Sequence, residues 1–277
     1  MRLRNVIAIL TPLLLIASCV PTRQFVRTDP TYEQSLPKIV KIGVVSDVCI
    51  ARDAVGSDDY ISIEDSKAAE SSMLAGAKEF LTQKDYEIVF QESFFVGAFK
   101  KSEMSFKVAQ RGGAEVSESN PPFYFSESLS TDEAYKQALI KVISKAQQSI
   151  EQKELMPSYV FLSSGNMQES LDMIAKRTNV DAILFLMGNG MLVPVGKSVA
   201  QGVATGVLST ALTLGMVTYY QYDVSWLDTY AALIDLKTGH VPWTNSLRLT
   251  QGNIISQDYY TNRWSKEVLY HFPKKNK

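Results

Sequence analysis

Histidine and cysteine are scarce in this chain: two of each occur among 277 residues. His240 and His271 have no neighbours at metal-ligand spacing, so the sequence implies no zinc site or other metal centre. Any Ser-His-acid triad would have to use one of those two, and both stand where a solvated imidazole is expected, one after a turn and one at a helix end. Ser163-Ser164-Gly165 lacks the G-x-S-x-G elbow. Excess charge is missing as well: a net charge of -1 argues against nucleic acid as a partner. A phosphate loop is suggested by Gly190-Met191-Leu192-Val193-Pro194-Val195-Gly196-Lys197-Ser198, but one residue too many, most of them bulky and apolar, separates Gly190 from the Gly-Lys-Ser end. Backbone amides spaced that way do not curl around one phosphate. No nucleotide and no cofactor is therefore expected, and the leading reading is non-enzymatic.

What the chain does have begins at its first residue. Arg2 and Arg4 give a positive start, Val6 to Ile16 an apolar run too short to span a bilayer, and Ile16-Ala17-Ser18-Cys19 an ending of small residues and a thiol. In that order these features resemble the lipobox of bacterial lipoprotein signals. The resemblance implies removal of residues 1–18 and acylation of Cys19, by thioether-linked diacylglycerol and an amide-linked chain such as palmitate. Several acyl chains make a firm anchor where one binds marginally. Val20 replaces the aspartate that retains many such proteins at the inner membrane. The resemblance thus implies an outer-membrane protein facing the periplasm. With Cys19 acylated only Cys49 remains, so no intramolecular disulfide can form; after an apolar strand, Cys49 reads as a buried, inert thiol.

Residues 19–38 are polar, contain Pro21, Pro30 and Pro37, and show no periodicity, which predicts a flexible tether with a stretched reach on the order of 60 Å. Residues 39–277 then read as a single α/β domain, with α+β as the alternative class: a mixed sheet flanked by helices. Ile39 to Val45 is a buried strand. Ser62 with Asp65 makes a capping box for a helix whose inner face is Met73, Leu74, Ala77, Phe80 and Leu81. Tyr86 to Phe90 is a second strand, and 94–125 a β-rich insertion. Ser130 and Glu133 open a helix with Tyr135, Leu139, Val142, Ile143, Ala146 and Ile150 inward. A strand Tyr159–Leu162, a helix Asn166–Arg177 and a central strand Val180–Met187, covered on both faces, follow. Tyr230–Leu236 and His240–Leu249 flank the turn Lys237-Thr238-Gly239 as a hairpin, with Pro242 marking its second strand as an edge. Tyr260, Trp264, Val268 and Leu269 define a last helix, before a lysine-rich tail.

Val199 to Val217 carries no charge and mostly small side chains. Gly202 and Gly206 have the spacing that lets helices approach closely. A glycine- and alanine-rich helix packed on the domain or on another subunit, a membrane-inserting helix, and a glycine-rich loop all fit this composition. As an interface it would use Gly202, Gly206, Leu208, Leu212 and Gly215.

Lys41-Ile42-Gly43-Val44-Val45 after the tether, Leu171 to Leu186, and Leu233-Ile234-Asp235-Leu236-Lys237-Thr238-Gly239-His240-Val241-Pro242-Trp243 together resemble the anticodon-binding-like α/β domain. That module is shared by the TolB amino-terminal domain, penicillin-binding-protein activator lipoproteins and the curli-export channel family. The likeness implies a fold and an address but no catalytic residue. It points to a membrane-anchored lipoprotein that binds an envelope protein or self-assembles into an oligomer, as an accessory subunit of a cell-envelope complex. An outer-membrane export pore subunit is the alternative and an envelope hydrolase the third reading.

Overall fold

The computed structural model describes residues 25–29, 36–53, 59–100, 103–110, 115–151, 167–194, 224–250 and 252–275. Within them a single mixed sheet of ten strands runs through the domain. Its centre is β2 (Lys41–Arg52) beside β8 (Ala182–Leu192), which pair in parallel from Ile42↔Ala182 to Arg52↔Leu192. The apolar run from Val180 thus forms the expected central strand, prolonged to Leu192.

On one side of β8 the sheet continues antiparallel through β9 (Trp226–Asp235) and β10 (Trp243–Thr250). The hairpin between them turns at Lys237-Thr238-Gly239, where the Asp235 carboxylate accepts the Lys237 and Thr238 N–H groups and Gly239 adopts φ 67°. A positive φ is the conformation for which glycine carries no Cβ penalty. The expectation that β10 is an edge is corrected: β1 (Phe25–Thr28) pairs with its outer side, Phe25↔Ser246 to Thr28↔Trp243. Pro242 stands just outside the ladder and its carbonyl accepts the Asp29 N–H, so its missing donor costs nothing. The stretch read as a flexible tether therefore contributes a strand.

On the other side β2 pairs with two strands in succession. Its first half lies parallel to β4 (Glu87–Val96), and its end turns to β3 (Tyr60–Ser62), which leads to β5 (Phe106–Ala109) and β6 (Val116–Ser119). With β7 (Tyr124–Phe125) against β4, the region from Phe94 to Phe125 is β-rich as read.

Helices cover both faces. α1 (Ile63–Gln83) crosses between β2 and β4, opened by Ser62, whose hydroxyl accepts the Asp65 N–H. The reciprocal half of the expected capping box is replaced, because the Asp65 carboxylate is bound by Arg52. With α1 packs α5, a π-wound turn Tyr260–Trp264 between short turns Gln257–Tyr259 and Ser265–Val268. These and the sheet bury Ile42, Val44, Met73, Leu184, Leu233, Trp243, Tyr260 and Trp264 in one core. After a short α2 (Glu127–Ser130), α3 (Glu133–Glu151) and α4 (Met167–Thr178) cover the other face over Val45, Ile183, Phe185, Ala232 and Ile234. Asp132, rather than Ser130, caps α3: its carboxylate accepts the Tyr135 N–H at 3.1 Å, while Ser130 closes α2. The strand expected at Tyr159–Leu162 and the apolar helix expected at 199–217 lie outside the described residues.

Strand directions give the sheet two ends. β2 and β8 finish, and β9 begins, at an upper end marked by Arg52, Leu192, Trp226 and, on β10, Thr250. The lower end holds Lys41, Asp181, Asp235 and Trp243.

Candidate functional site

The face covered by α3 and α4 is sealed by apolar side chains in its lower half, and its upper half mixes a smaller apolar cluster around Cys49, Ile61, Val96 and Val108 with a row of polar side chains. Along β2 the residues on this face are Val45, Asp47 and Cys49, all buried. At Asp47 the β2–β4 register shifts and β4 ends in a turn in which Gly97 has φ 76°. That turn delivers two backbone donors to the Asp47 carboxylate, Gly97 N–H at 2.7 Å and Phe99 N–H at 2.8 Å. Burial pushes the Asp47 pKa up to about 7, against the opposing pull of these N–H groups and of the Lys100 charge.

Lys100 bridges the insertion to the central strand. Its ammonium donates to Asn189 Oδ1 on β8 at 2.7 Å and lies 5.4 Å and 5.7 Å from the ring centres of Phe99 and Phe106. Cys49 is opposite Asn189 in the parallel register. Cys49 is buried, as expected from the sequence, and burial pushes its thiol up to about 12.

The row continues outward. Asn189 pairs with Asp228 on β9, and Asp228 takes Arg248 of β10 in a two-pronged ion pair. The Arg248 guanidinium also lies 4.8 Å from the Trp226 ring centre. Arg248 and Asp228 keep 59% and 40% of their side-chain surface exposed, so this pair adds little stability and instead fixes shape.

Each carboxylate of this region is engaged: Asp47 by amides, Asp228 by Arg248, and Asp65 by Arg52 and Ser62. Burial raises the Asp65 pKa, but its partners outweigh that and hold it below the ordinary range. The arrangement orders a row of polar and aromatic side chains that runs from the buried Asp47 to the exposed Arg248. His240 is exposed in the hairpin turn, its backbone N–H donating to Thr238 Oγ1 at 3.3 Å, and His271 is exposed beside Tyr270, so neither joins this row. Gly190, the first residue of the suspected phosphate loop, is inside β8, while Lys197 and Ser198 lie outside the described residues. Among the described residues, no group of three His, Cys, Asp or Glu side chains is placed to hold a metal ion, and no helix is long and apolar enough to cross a membrane.

The sequence-predicted site residues Cys19, Gly202, Gly206, Leu208, Leu212 and Gly215 also lie outside the described residues. The row is not legible in the sequence, because its members come from β2, the insertion, β8, β9 and β10 and meet only through strand order. One signal is present: Ser46 and Asp47 interrupt an apolar run that otherwise continues from Ile42 to Ile50.

No family model matches the chain, and no curated protein matches it. Among solved structures it is similar to the PelC dodecamer from Paraburkholderia phytofirmans, with a TM-score of 0.32 and 10% identity over 90% of this chain and 98% of that one. It is also similar to lipoprotein GNA1162 from Neisseria meningitidis, with a TM-score of 0.27 and 13% identity over 77% of this chain and 85% of that one. Likeness of this size does not bear on function.

Proposed function

We propose that this chain is a bacterial lipoprotein, anchored through acylated Cys19, whose α/β domain works by binding rather than by catalysis: an accessory, self-associating or partner-binding subunit of a cell-envelope complex at the outer membrane. The observation that carries this reading is the placement of the lipobox cysteine about six residues before β1, a distance of at most roughly 20 Å. The free tether is then much shorter than 19–38, and the domain is held close to the bilayer instead of standing off it. The engagement of Asp47, Asp65 and Asp228 by structural partners supports a binding role. Mass spectrometry of the membrane-extracted protein should find an acylated amino-terminal Cys19. Protein exported with an ordinary cleavable signal in place of Met1–Cys19 should be recovered in the soluble fraction. An unmodified, soluble native protein would refute the anchor.

The charge-free stretch 199–217 supplies the interface in this reading. Its deletion should abolish oligomers or partner recovery from intact envelopes while leaving acylation unchanged; unaltered assembly would refute the interface. The same lack of charge favours a second reading, a subunit of an export pore. There the form without the acyl anchor would resist carbonate extraction, whereas a purely lipid-anchored protein would be released.

A further inference from the structure

We propose that the upper end of the sheet, through the rim formed by Leu192, Val193, Trp226 and Arg248, lies against the phospholipid headgroups of the membrane that holds Cys19. The inference rests on the lipoprotein reading and adds an orientation and a contact surface to it. β1 is antiparallel to β10, so the chain ahead of Phe25 leads toward the Thr250 end. Phe25 is level with Ser246, about four residues or roughly 13 Å short of Thr250 along the strand. A stretched span of roughly 20 Å from Cys19 to Phe25 leaves at most about 7 Å between the rim and an anchor aligned with β1.

The segment that contains the charge-free stretch 199–217 follows Leu192 of β8 and precedes Trp226 of β9, and these strands are paired at that point, Met191↔Trp226. The lead to the acylated cysteine and the two ends of the segment holding the charge-free stretch therefore belong to one end of the sheet. The rim residues suit a headgroup layer. Val193 and Trp226 are partly exposed, as is Leu192, which also packs on the α1-side core, and Arg248, paired with Asp228 yet 59% exposed, lays its guanidinium beside the indole. Both ends carry charged side chains, Lys41, Asp85, Asp181, Asp235 and Lys237 below and the Arg52–Asp65 and Arg248–Asp228 pairs above, but a partly exposed indole stands at the upper end, since Trp243 and Trp264 are buried.

The protein carries its own depth probe. Of its three tryptophans, Trp243 and Trp264 are 0% exposed, which leaves Trp226 as the indole able to meet lipid. The acylated protein is reconstituted into vesicles of phosphatidylethanolamine and phosphatidylglycerol with brominated acyl chains, and its emission is compared with that in unbrominated vesicles. The expected result is about a twofold loss of the Trp226 emission, as for an indole at headgroup depth. Quenching should vanish in Trp226→Phe. A Trp226→Phe, Tyr270→Trp double variant moves the reporter to the lower end, where Tyr270 is 65% exposed, and should also remain unquenched. Native acylated protein that floats with the vesicles but shows no bromine effect, or equal quenching of the Tyr270→Trp reporter, overturns the orientation and leaves the anchor standing. Protein that carries no acyl group and does not float overturns both.

Discussion

The Asp47 carboxylate accepts the Gly97 N–H at 2.7 Å inside the domain, with no water-exposed surface of its own. Through this bond and its partner at Phe99, one acidic side chain fixes the turn where the insertion leaves β4. The charged and titratable neighbours on this group are Lys100, from the insertion, and Cys49, on the same face of β2.

A pH dependence follows. Asp47 titrates at about 7 in the fold, against 3.8 for the ordinary carboxyl. Between those values the folded protein holds a proton that the unfolded chain releases, so stability falls as pH rises from about 4 to 7. The upper limit of the effect is on the order of 4 kcal/mol. Urea unfolding at a series of pH values should show this fall in the native protein and a flatter profile in Asp47→Asn. The amide can accept one backbone N–H but turns its own donor toward the other, so at pH 4 the variant should be less stable by about 1 kcal/mol. Parallel profiles would show that Asp47 ionises as an ordinary carboxyl.

Gly76 of α1 allows the helix to approach α5 closely: a Cβ there would stand 2.8 Å from the Tyr260 carbonyl oxygen. Backbone cannot step aside as a side-chain end can. Gly76→Ala should therefore lower the unfolding free energy by about 1–3 kcal/mol, even though alanine favours helix by nearly 1 kcal/mol. Gly188→Ala is the contrast, because its first obstacle, Met73 Cε at 3.1 Å, is the end of a flexible chain. Denaturation of the two variants should place Gly76→Ala as the more damaging.

Ser62 ends β3 and caps α1 with the same residue, and its hydroxyl is the acceptor for Asp65 N–H. Ser62→Ala should cost about 1 kcal/mol, and Ser62→Asp much less, since aspartate also accepts at this position. Thermal unfolding of the pair tests whether the cap, rather than side-chain volume, is what matters.

Local chemistry made much of this fold readable. Ser62 announces a helix because an orphan N–H needs an acceptor, Gly239 announces a turn because φ is positive there, and Ala182–Leu186 announces a strand covered on both faces because it is apolar at successive positions. Phe25–Thr28 was unreadable for the opposite reason: four residues among prolines become a strand only because β10, from the far end of the chain, offers an unpaired edge. The same pairing overturns the reading of Pro242 as an edge marker. The polar row failed to show itself for a related reason. Asp47, Lys100, Asn189, Asp228 and Arg248 have no common spacing, and only the order of β2, β8, β9 and β10 lines them up. Lipidation lies at the other extreme, since the motif ending at Cys19 is contiguous.

The docking of β1 is the point where anchor and domain meet, and it can be broken without touching either. In an antiparallel pair successive residues direct their N–H groups to opposite sides, so of Val26 and Arg27 one faces β10. Replacing both with proline removes that donor whichever it is and leaves β10 as the new edge. The core should survive, because the large buried side chains Trp243, Tyr260 and Trp264 are held by the sheet, α1 and α5, with a fall in midpoint of at most a few degrees. Protease should then cut within Phe25–Asp29 in the variant but not in the native protein, where β10 covers that strand. If β1 is what keeps the domain near the bilayer, the freed chain restores a tether of the length read from the sequence, and the variant should remain acylated and membrane-bound while bromine quenching of Trp226 is lost. Retention of that quenching alongside a cut tether would show that the rim holds the membrane by its own affinity.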